Sequence, residues 1–486
     1  MRAPWLFSPL LLSARISGVV TLALLSSCGT QSYKPGSLDA ELAANSFTSR
    51  AMDAPGLQEY MVAHGHASAD WPVKEWGLTE LTLVAFYYHP DLAVARAQAK
   101  AALAESKLAG ERSPIKVTPV VLHHSKQLDG TTSPWSLGFD VEIPIASASR
   151  RAAVVERAGY FAESAELNVG SVAWQVRSRV RSRLLDLYTA HTTAQSLAAE
   201  VQARKALVGL LERRLEAGMV SSTDVSAARV KLSEAQGQLD AAAVVEQQAK
   251  GQLAAALGVP LDALRGQNLS FAELETLPDA PASTQVQREA LMNRVDMRRA
   301  LLDYASADAT VKLEIAKQYP SFTLRPGYLW DQGDSVWFVA ADILMPVIVG
   351  NVPGIRAAEA QREAAAQQAI GYQASVITGV QIALATYEQA AAGAQAAAQA
   401  NRTQVTRNAQ VQKQFDAGLT DRLEVTQARL EAVSVERNAQ TARIETQKVL
   451  GQLEDALQRP LSGGPLPAFG TGSELTDKTQ QATATR

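Results

Sequence analysis

The residues of this chain that carry reactive or ionic chemistry are few, and they do not converge. Cys28 is the single cysteine among 486 residues, so no disulfide forms within one chain, and an exported thiol in that position calls for acylation or for loss with a leader. The six histidines fall at His64, His66, His89, His123, His124 and His191, with no ligand set on one helix face. His64 with His66, and His123 with His124, are close pairs that can touch a metal, although surface histidine is the simpler account. No phosphate loop, nucleophile elbow or dinucleotide fingerprint is present. An enzyme needs a pocket of convergent titratable groups, so neither catalysis nor a cofactor is expected. The remaining candidates are carboxylates beside two glycines: Asp224 after Gly218, and Asp421 with Glu424 after Gly418. On solvated helix ends such groups serve as N-caps.

The surroundings of Cys28 speak for acylation. Arg2 precedes an apolar run, broken by Arg15 and resumed from Ile16 to Leu25, and the small residues Ser26 and Ser27 follow. This has the form of a signal peptide over residues 1–27, too short in its apolar part to span a membrane. Leu25-Ser26-Ser27-Cys28 resembles the lipobox of bacterial lipoproteins, which implies that Cys28 becomes the lipidated first residue of the mature chain. Gly29, rather than an aspartate, then implies an outer-membrane address.

Formal net charge is -3 with both signs mixed, which gives no basic field for nucleic acid. Aromatic residues make up 6% of the chain and alanine is abundant, a composition suited to long, closely packed helices. Beyond the leader there is no uninterrupted apolar stretch of about 18 residues, so no spanning helix is expected and any membrane span must be a β-barrel.

Stepping along the chain reveals one unit written twice, at an offset of about 205 residues. Pro90-Asp91-Leu92 with Ala95, Ala101, Lys107 and Pro114 parallels Val295-Asp296-Met297 with Ala300, Ala305, Lys312 and Pro320. Trp135, Asp140 and Ile143-Pro144-Ile145 recur as Trp337, Asp342 and Met345-Pro346-Val347. Leu215-Glu216-Ala217-Gly218-Met219 recurs as Phe415-Asp416-Ala417-Gly418-Leu419, and Leu257, Pro260 and Leu261 recur as Leu457, Pro460 and Leu461.

Each unit is expected to run helix, two strands, very long helix, turn, long helix. No proline occurs between Pro144 and Pro260 or between Pro353 and Pro460; a proline inside a helix costs about 3 kcal/mol, so these stretches mark helices. Gly218 and Gly418 break them, in the left-handed position that ends a helix. Ser221 with Asp224, and Asp421 with Glu424, offer caps for the returning helices. A helix over 150–215 would be on the order of 100 Å long. Leu197, Val201, Val208, Leu211 and Leu215 give it a seam near coiled-coil spacing. From Trp135 to Ile143 apolar residues alternate with small or polar ones, and Trp337 to Met345 repeats the pattern with Asp342 on the opposite face, which Phe338 and Leu344 make less polar. The partner strands contain Pro119 and Pro326, which interrupt the ladder, and turns are expected at Asp129-Gly130 and Gln332-Gly333-Asp334. These strands fit either a lipid-facing wall or soluble hairpins packed on helices. Four strands cannot close a barrel, since about eight are needed around even a packed interior.

With these residues in place, the chain over about residues 78 to 461 resembles the TolC-like outer-membrane efflux factor family. The segment Pro320 to Leu324, with Gly327-Tyr328-Leu329-Trp330-Asp331-Gln332-Gly333-Asp334 and Trp337, is similar to second-hairpin sequences in branches that export metal cations or drugs. The resemblance implies a mainly α fold with a small β part. Duplicated helix, β-hairpin and long helical hairpin units would form a coiled-coil α-barrel, and four strands would join a trimeric twelve-stranded β-barrel. It divides the chain into a leader (1–27), a lipid-anchored extended segment (28–77), a first repeat (78–277), a second repeat (278–462) and a disordered tail (463–486). In the first repeat strands are expected near 115–123 and 135–145 and helices near 150–215 and 221–257. In the second a helix is expected near 286–317, strands near 322–330 and 335–345, and helices near 354–415 and 421–457.

The resemblance further implies a homotrimeric, passive outer-membrane duct of a tripartite efflux or type I secretion-like system, anchored by lipid and reaching into the periplasm, that exports small molecules or metal cations from an inner-membrane pump and a periplasmic adaptor. Adaptor docking is carried over to Ala217, Gly218, Met219 and Ser221 and to Ala417, Gly418, Leu419 and Thr420. Both copies depart from the family's turn motif at its first position. Termination of the helix is the plainer role of the same glycines. A periplasmic gate is carried over to Asp421, with Glu424 and Asp224 beside it. The reading left standing beside a duct is a lipid-tethered periplasmic coiled-coil protein, structural or adaptor-like.

Overall fold

The computed structural model describes residues 33, 36, 38–66, 71–125, 133–145, 147–344 and 350–461. It divides into two compact units, Met1–Ser49 and Arg50–Arg486. The leader, Cys28, the turn at Asp129-Gly130, Met345 to Val347 and the tail from 463 lie outside the described residues. In the first unit a single helix is described, α1 (Ala40–Thr48), capped by the Asp39 carboxylate, which accepts from the N–H groups of Glu41 and Leu42.

The second unit runs α2 (Pro55–Ala63), α3 (Leu78–Tyr88), α4 (Pro90–Ala109), β1 (Lys116–His123), β2 (Trp135–Ile145), α5 (Ala148–Glu216) and α6 (Ser222–Leu257). A 3-10 turn (Leu261–Leu264) and α7 (Ala272–Glu275) lead to α8 (Ser283–Asn293), α9 (Val295–Ala316), β3 (Ser321–Asp331), β4 (Asp334–Leu344), α10 (Val352–Asp416) and α11 (Arg422–Leu457). The duplicated order is therefore present. With 69 residues, α5 is about 100 Å long at 1.5 Å per residue. Along its seam Leu197, Val201 and Val208 are buried, Leu211 is half-buried and Leu215 lies at the exposed edge.

Four differences from the expected pattern have physical causes. Residues 28–77 are expected to be extended, yet α2 forms inside that segment, because Met52, Leu57 and Met61 are fully buried in the main core beside Trp76, Leu81 and Phe86. The helix expected over 286–317 is two helices: Arg294 adopts an extended conformation and the Gln458 amide oxygen accepts the Val295 N–H at 2.9 Å, capping α9 from the far end of α11. In the first repeat α3 and α4 part at His89, which precedes Pro90 and is thereby pushed out of helical geometry. Finally, α10 is long and apolar enough to cross a membrane by length and composition, although only 17% of that window is buried. Alanine rather than large apolar residues gives it this character.

All four strands form one antiparallel sheet in the order β1-β2-β3-β4. Pro119 sits in the edge strand β1, opposite Phe139, with the pairing unbroken. Pro326 does interrupt a ladder: Val141 and Glu142 drop out of the pairing of β2 with β3, while β3 pairs with β4 throughout. One missing N–H accounts for that one-sided gap.

The ends of the two units of sequence also diverge. Gly258 ends α6 at φ 74, and its carbonyl accepts from Arg50; Gln458 takes the same left-handed position at φ 47 after α11. A Cβ on Gly258 would lie 3.0 Å from the Cα of His89 and from the Tyr88 carbonyl oxygen, whereas nothing lies within 4 Å of one on Gly218. A left-handed non-glycine residue costs about 1–2 kcal/mol. Gly218→Ala is thus expected to lose stability by about that amount, and Gly258→Ala by more; an equal fall in the two thermal unfolding midpoints would contradict the crowding argument.

Candidate functional site

The features that could act on a solute or a partner lie at the sheet and at the two helical turns, and one seam of polar contacts connects the repeats between them.

On the sheet, the register sorts side chains onto two faces. One carries Trp135, Leu137, Phe139, Tyr328, Trp337 and Val339, all apolar or aromatic, and there Trp337 is 77% and Val339 71% exposed. The Tyr328 and Trp337 rings meet at 4.6 Å, as do those of His123 and Trp135. On the other face Ser136 and Asp140 are buried, Lys116 reaches Glu142 at 3.4 Å, and Arg325 reaches Asp140, Glu142 and Asp342. Nearer the hairpin ends His124 Nε2 lies 3.1 Å from Asp331 and 2.8 Å from the Ser136 hydroxyl. A sheet exposing its apolar face and satisfying charges on the other is inverted relative to one packed on a soluble core.

At the turns Gly218 has φ 71 and Gly418 φ 73. The Met219 N–H donates to Arg214 O and the Leu419 N–H to Gln414 O, each at 2.8 Å, which closes the preceding helix. Ala217 and Ala417 are the C-caps, while Met219 and Leu419 project, 67% and 79% exposed. Ser221 and Asp224 form a reciprocal capping box, and the Ser221 hydroxyl and N–H hold the Asp224 carboxyl below its ordinary range. Asp421 caps α11 through the N–H groups of Leu423 and Glu424, and Thr420 donates to the Glu424 carboxylate.

Arg214, which the sequence reading does not single out, donates to Asp421 at 2.7 Å and joins the end of α5 to the start of α11. The Arg214 guanidinium, followed by the backbone bond from Glu424, holds the Asp421 carboxyl below the usual carboxylate range. The two turns are thus brought together, and Asp421, a cap that is also a gate candidate, is ion-paired between them.

That pair is the last rung of a seam between α5 and α11. Glu200 meets Arg437 at 2.9 Å, Tyr188 accepts from Arg443, and Arg181 donates to Gln447 at 2.9 Å. Furthest from the turns, Glu454 lies 3.0 Å from Arg177 and 3.2 Å from Arg181, all three side chains at most 5% exposed. Burial pushes the Arg181 guanidinium down and Glu454 opposes it. Pairings across more than 200 residues of sequence leave no periodic signal by which they could have been found.

The histidines stay apart. His64 packs on Tyr60, His66 faces Glu80 at 3.5 Å, His89 caps α4 and His191 faces Glu246 at 3.6 Å. Among the described residues no three His, Cys, Asp or Glu side chains come close enough to hold a metal ion.

Residues 85–259 match the model of the family described as outer membrane efflux protein. Over 195 residues the chain is 30% identical to the cobalt-zinc-cadmium resistance protein CzcC of Cupriavidus metallidurans, a match covering 38% of this chain and 44% of that relative's own length. The outer membrane protein VceC of Vibrio cholerae has a TM-score of 0.63 at 19% identity, over 78% of this chain and 95% of its own. The CmeC outer membrane channel of Campylobacter jejuni has a TM-score of 0.62 at 13% identity, over 83% and 89%. At these identities the likeness establishes the fold alone: mostly helical, with a four-stranded antiparallel sheet.

Removing one partner of a buried ion pair costs about 3–5 kcal/mol, whereas exposed pairs contribute about 1 kcal/mol at most. Glu454→Ala is therefore expected to destabilise by the larger amount, and Glu431→Ala, which loses an exposed contact with Arg407 at 3.3 Å, by the smaller. Denaturant midpoints that fall equally would refute the burial argument.

Proposed function

We propose that this chain is the outer-membrane duct of a tripartite efflux system, a passive conduit rather than a catalyst, assembled as a homotrimer. The observation that carries the reading is the sheet: its apolar face is exposed, its opposite face is charged, and β1 and β4 are open edges. Four strands are about half the number that surrounds even a packed interior, so closure needs further copies, and three supply twelve strands. Lipid would meet the face bearing Trp135, Phe139 and Trp337. The α-helical hairpins of residues 78–277 and 278–462 would line the periplasmic part.

An inner-membrane pump and a periplasmic adaptor would deliver cargo to the turns. Ala217, Gly218, Met219 and Ser221, with Ala417, Gly418, Leu419 and Thr420, suit adaptor docking: the glycines carry no side chain and an exposed Met or Leu stands beside each. CzcC is a cobalt-zinc-cadmium resistance protein, which favours metal cations among the small molecules exported. Asp421, with Glu424 and Asp224, would close the periplasmic end, Asp421 through its bond to Arg214. Acylation of Cys28 would tether the chain to the outer membrane.

Two experiments test this reading. In native detergent micelles the mature protein should have the mass of a trimer and should conduct in a planar bilayer, more often once Asp421→Ala breaks the bond to Arg214. Asp421 has its pKa depressed by folding, so its contribution is present above the ordinary carboxylate range and is lost as pH falls through the folded value. Acid should thus open the wild type and leave Asp421→Ala unmoved. A silent monomer would instead leave a lipid-tethered periplasmic coiled coil. Separately, cells fed labelled palmitate should label the wild type and not Cys28→Ala; equal labelling would remove the anchor.

A further inference from the structure

Three things coincide at Arg325. It lies beside Pro326, where β2 and β3 lose their pairing at Val141 and Glu142. It stands on the charged face of the sheet, where its guanidinium donates from Nε to Asp140 of β2 at 3.0 Å and reaches Glu142 of β2 at 3.8 Å and Asp342 of β4 at 3.4 Å. Its side chain nevertheless remains 35% exposed. One cation thus bridges three strands across the weak point of the ladder and still presents its charge to whatever that face borders.

The charge on this face is unequal. By register the strands place five carboxylates there, Asp140, Glu142, Asp331, Asp334 and Asp342, against two fixed cations, Lys116 and Arg325. Lys116 lies on an edge strand with its ion pair to Glu142, while Arg325 reaches Asp140, Glu142 and Asp342, so Arg325 is the cation that neutralises the centre. We infer that Arg325 sets the charge selectivity of the duct's inner wall: the wall favours cations over anions, and Arg325 limits how strongly. This deepens the proposed function and rests on the sheet being the wall of a channel. The physics is that of a water-filled lumen ringed by ionised side chains with a low-dielectric wall behind them, where the excess sign concentrates counter-ions. A cation passing each copy would meet carboxylates held in place, since Asp140 and Asp342 cannot turn away without breaking the clamp.

The test is the reversal potential of the reconstituted protein in a planar bilayer under a KCl gradient. The wild type should reverse on the potassium side of zero. Arg325→Gln should shift the reversal potential further toward the potassium equilibrium value, and Arg325→Lys, which keeps the charge but loses the planar fork, should restore it toward the wild type. Asp342→Asn removes an outlying carboxylate, 63% exposed, and should shift the potential the opposite way; it decides the matter if Arg325→Gln fails to assemble. Reversal potentials that stay at the wild-type value in Arg325→Gln, or in Asp342→Asn where only that variant assembles, overturn the inference while leaving the duct intact. A wild type that never conducts overturns both together.

Discussion

The arrangement of the two repeats depends on one buried carboxylate. Glu454 accepts from Arg177, contacts Arg181 and takes the Leu461 N–H on its other oxygen at 2.7 Å. Desolvating three charged groups costs several kcal/mol for each, so the pairing is tolerable only with well-met hydrogen bonds. An arginine cannot escape by giving up its proton. The neighbourhood is shaped to these demands. Gly451 leaves room for the Arg181 guanidinium, which a Cβ would meet at 2.5 Å, and Gln447, held by Arg181, donates onward to the carbonyls of Leu274 and Thr276 in the connection between repeats. Helix α5 of the first repeat, α11 of the second and the chain joining them are thereby fixed at one point.

From that point the α5–α11 seam weakens toward the turns. Glu454 and its arginines are almost wholly buried; Glu200 is 9% exposed with Arg437 at 34%; Asp421 is 56% exposed with Arg214 at 25%. Solvent screening reduces a pair of the last kind to about 1 kcal/mol or less, while the buried end resists separation. The long helices can therefore part at the turns without disturbing the point that holds the repeats in register. A fold with the gradient reversed would have to break its core before its tips could move.

Much of this was legible in the sequence because it repeats or alternates. The proline-free stretches, Gly218 and Gly418 marked the long helices and their reversals, and period-two alternation from Trp135 and Trp337 marked two strands. What escaped is tertiary. The break at Arg294 comes from Gln458 reaching across from α11, and α2 forms where three apolar residues find a core made mostly by later sequence. Asp421 was visible as a cap, but Arg214 was not, since only the antiparallel path of α5 and α11 brings residues so far apart in sequence together. Pro326 was seen to break the ladder, yet the repair by Arg325 depends on carboxylates from two other strands.

The sheet and α10 pose the same physical problem. An open four-stranded sheet with unpaired edges and an exposed aromatic face would recruit other strands in water, and an alanine-rich helix with so little of its apolar window buried leaves a surface that only close-packed neighbours can cover. Among the described residues the sheet does not close on itself, because β1 and β4 are its two ends and three strand spacings of about 4.8 Å separate them. In the proposed trimer, pairing β4 of one copy with β1 of the next would remove both edges and keep strands antiparallel. Lipid would then take the aromatic face, which no protein surface would have to cover. The charged face would be left enclosed and wet, where Arg325 and its carboxylates need not be buried to be stable.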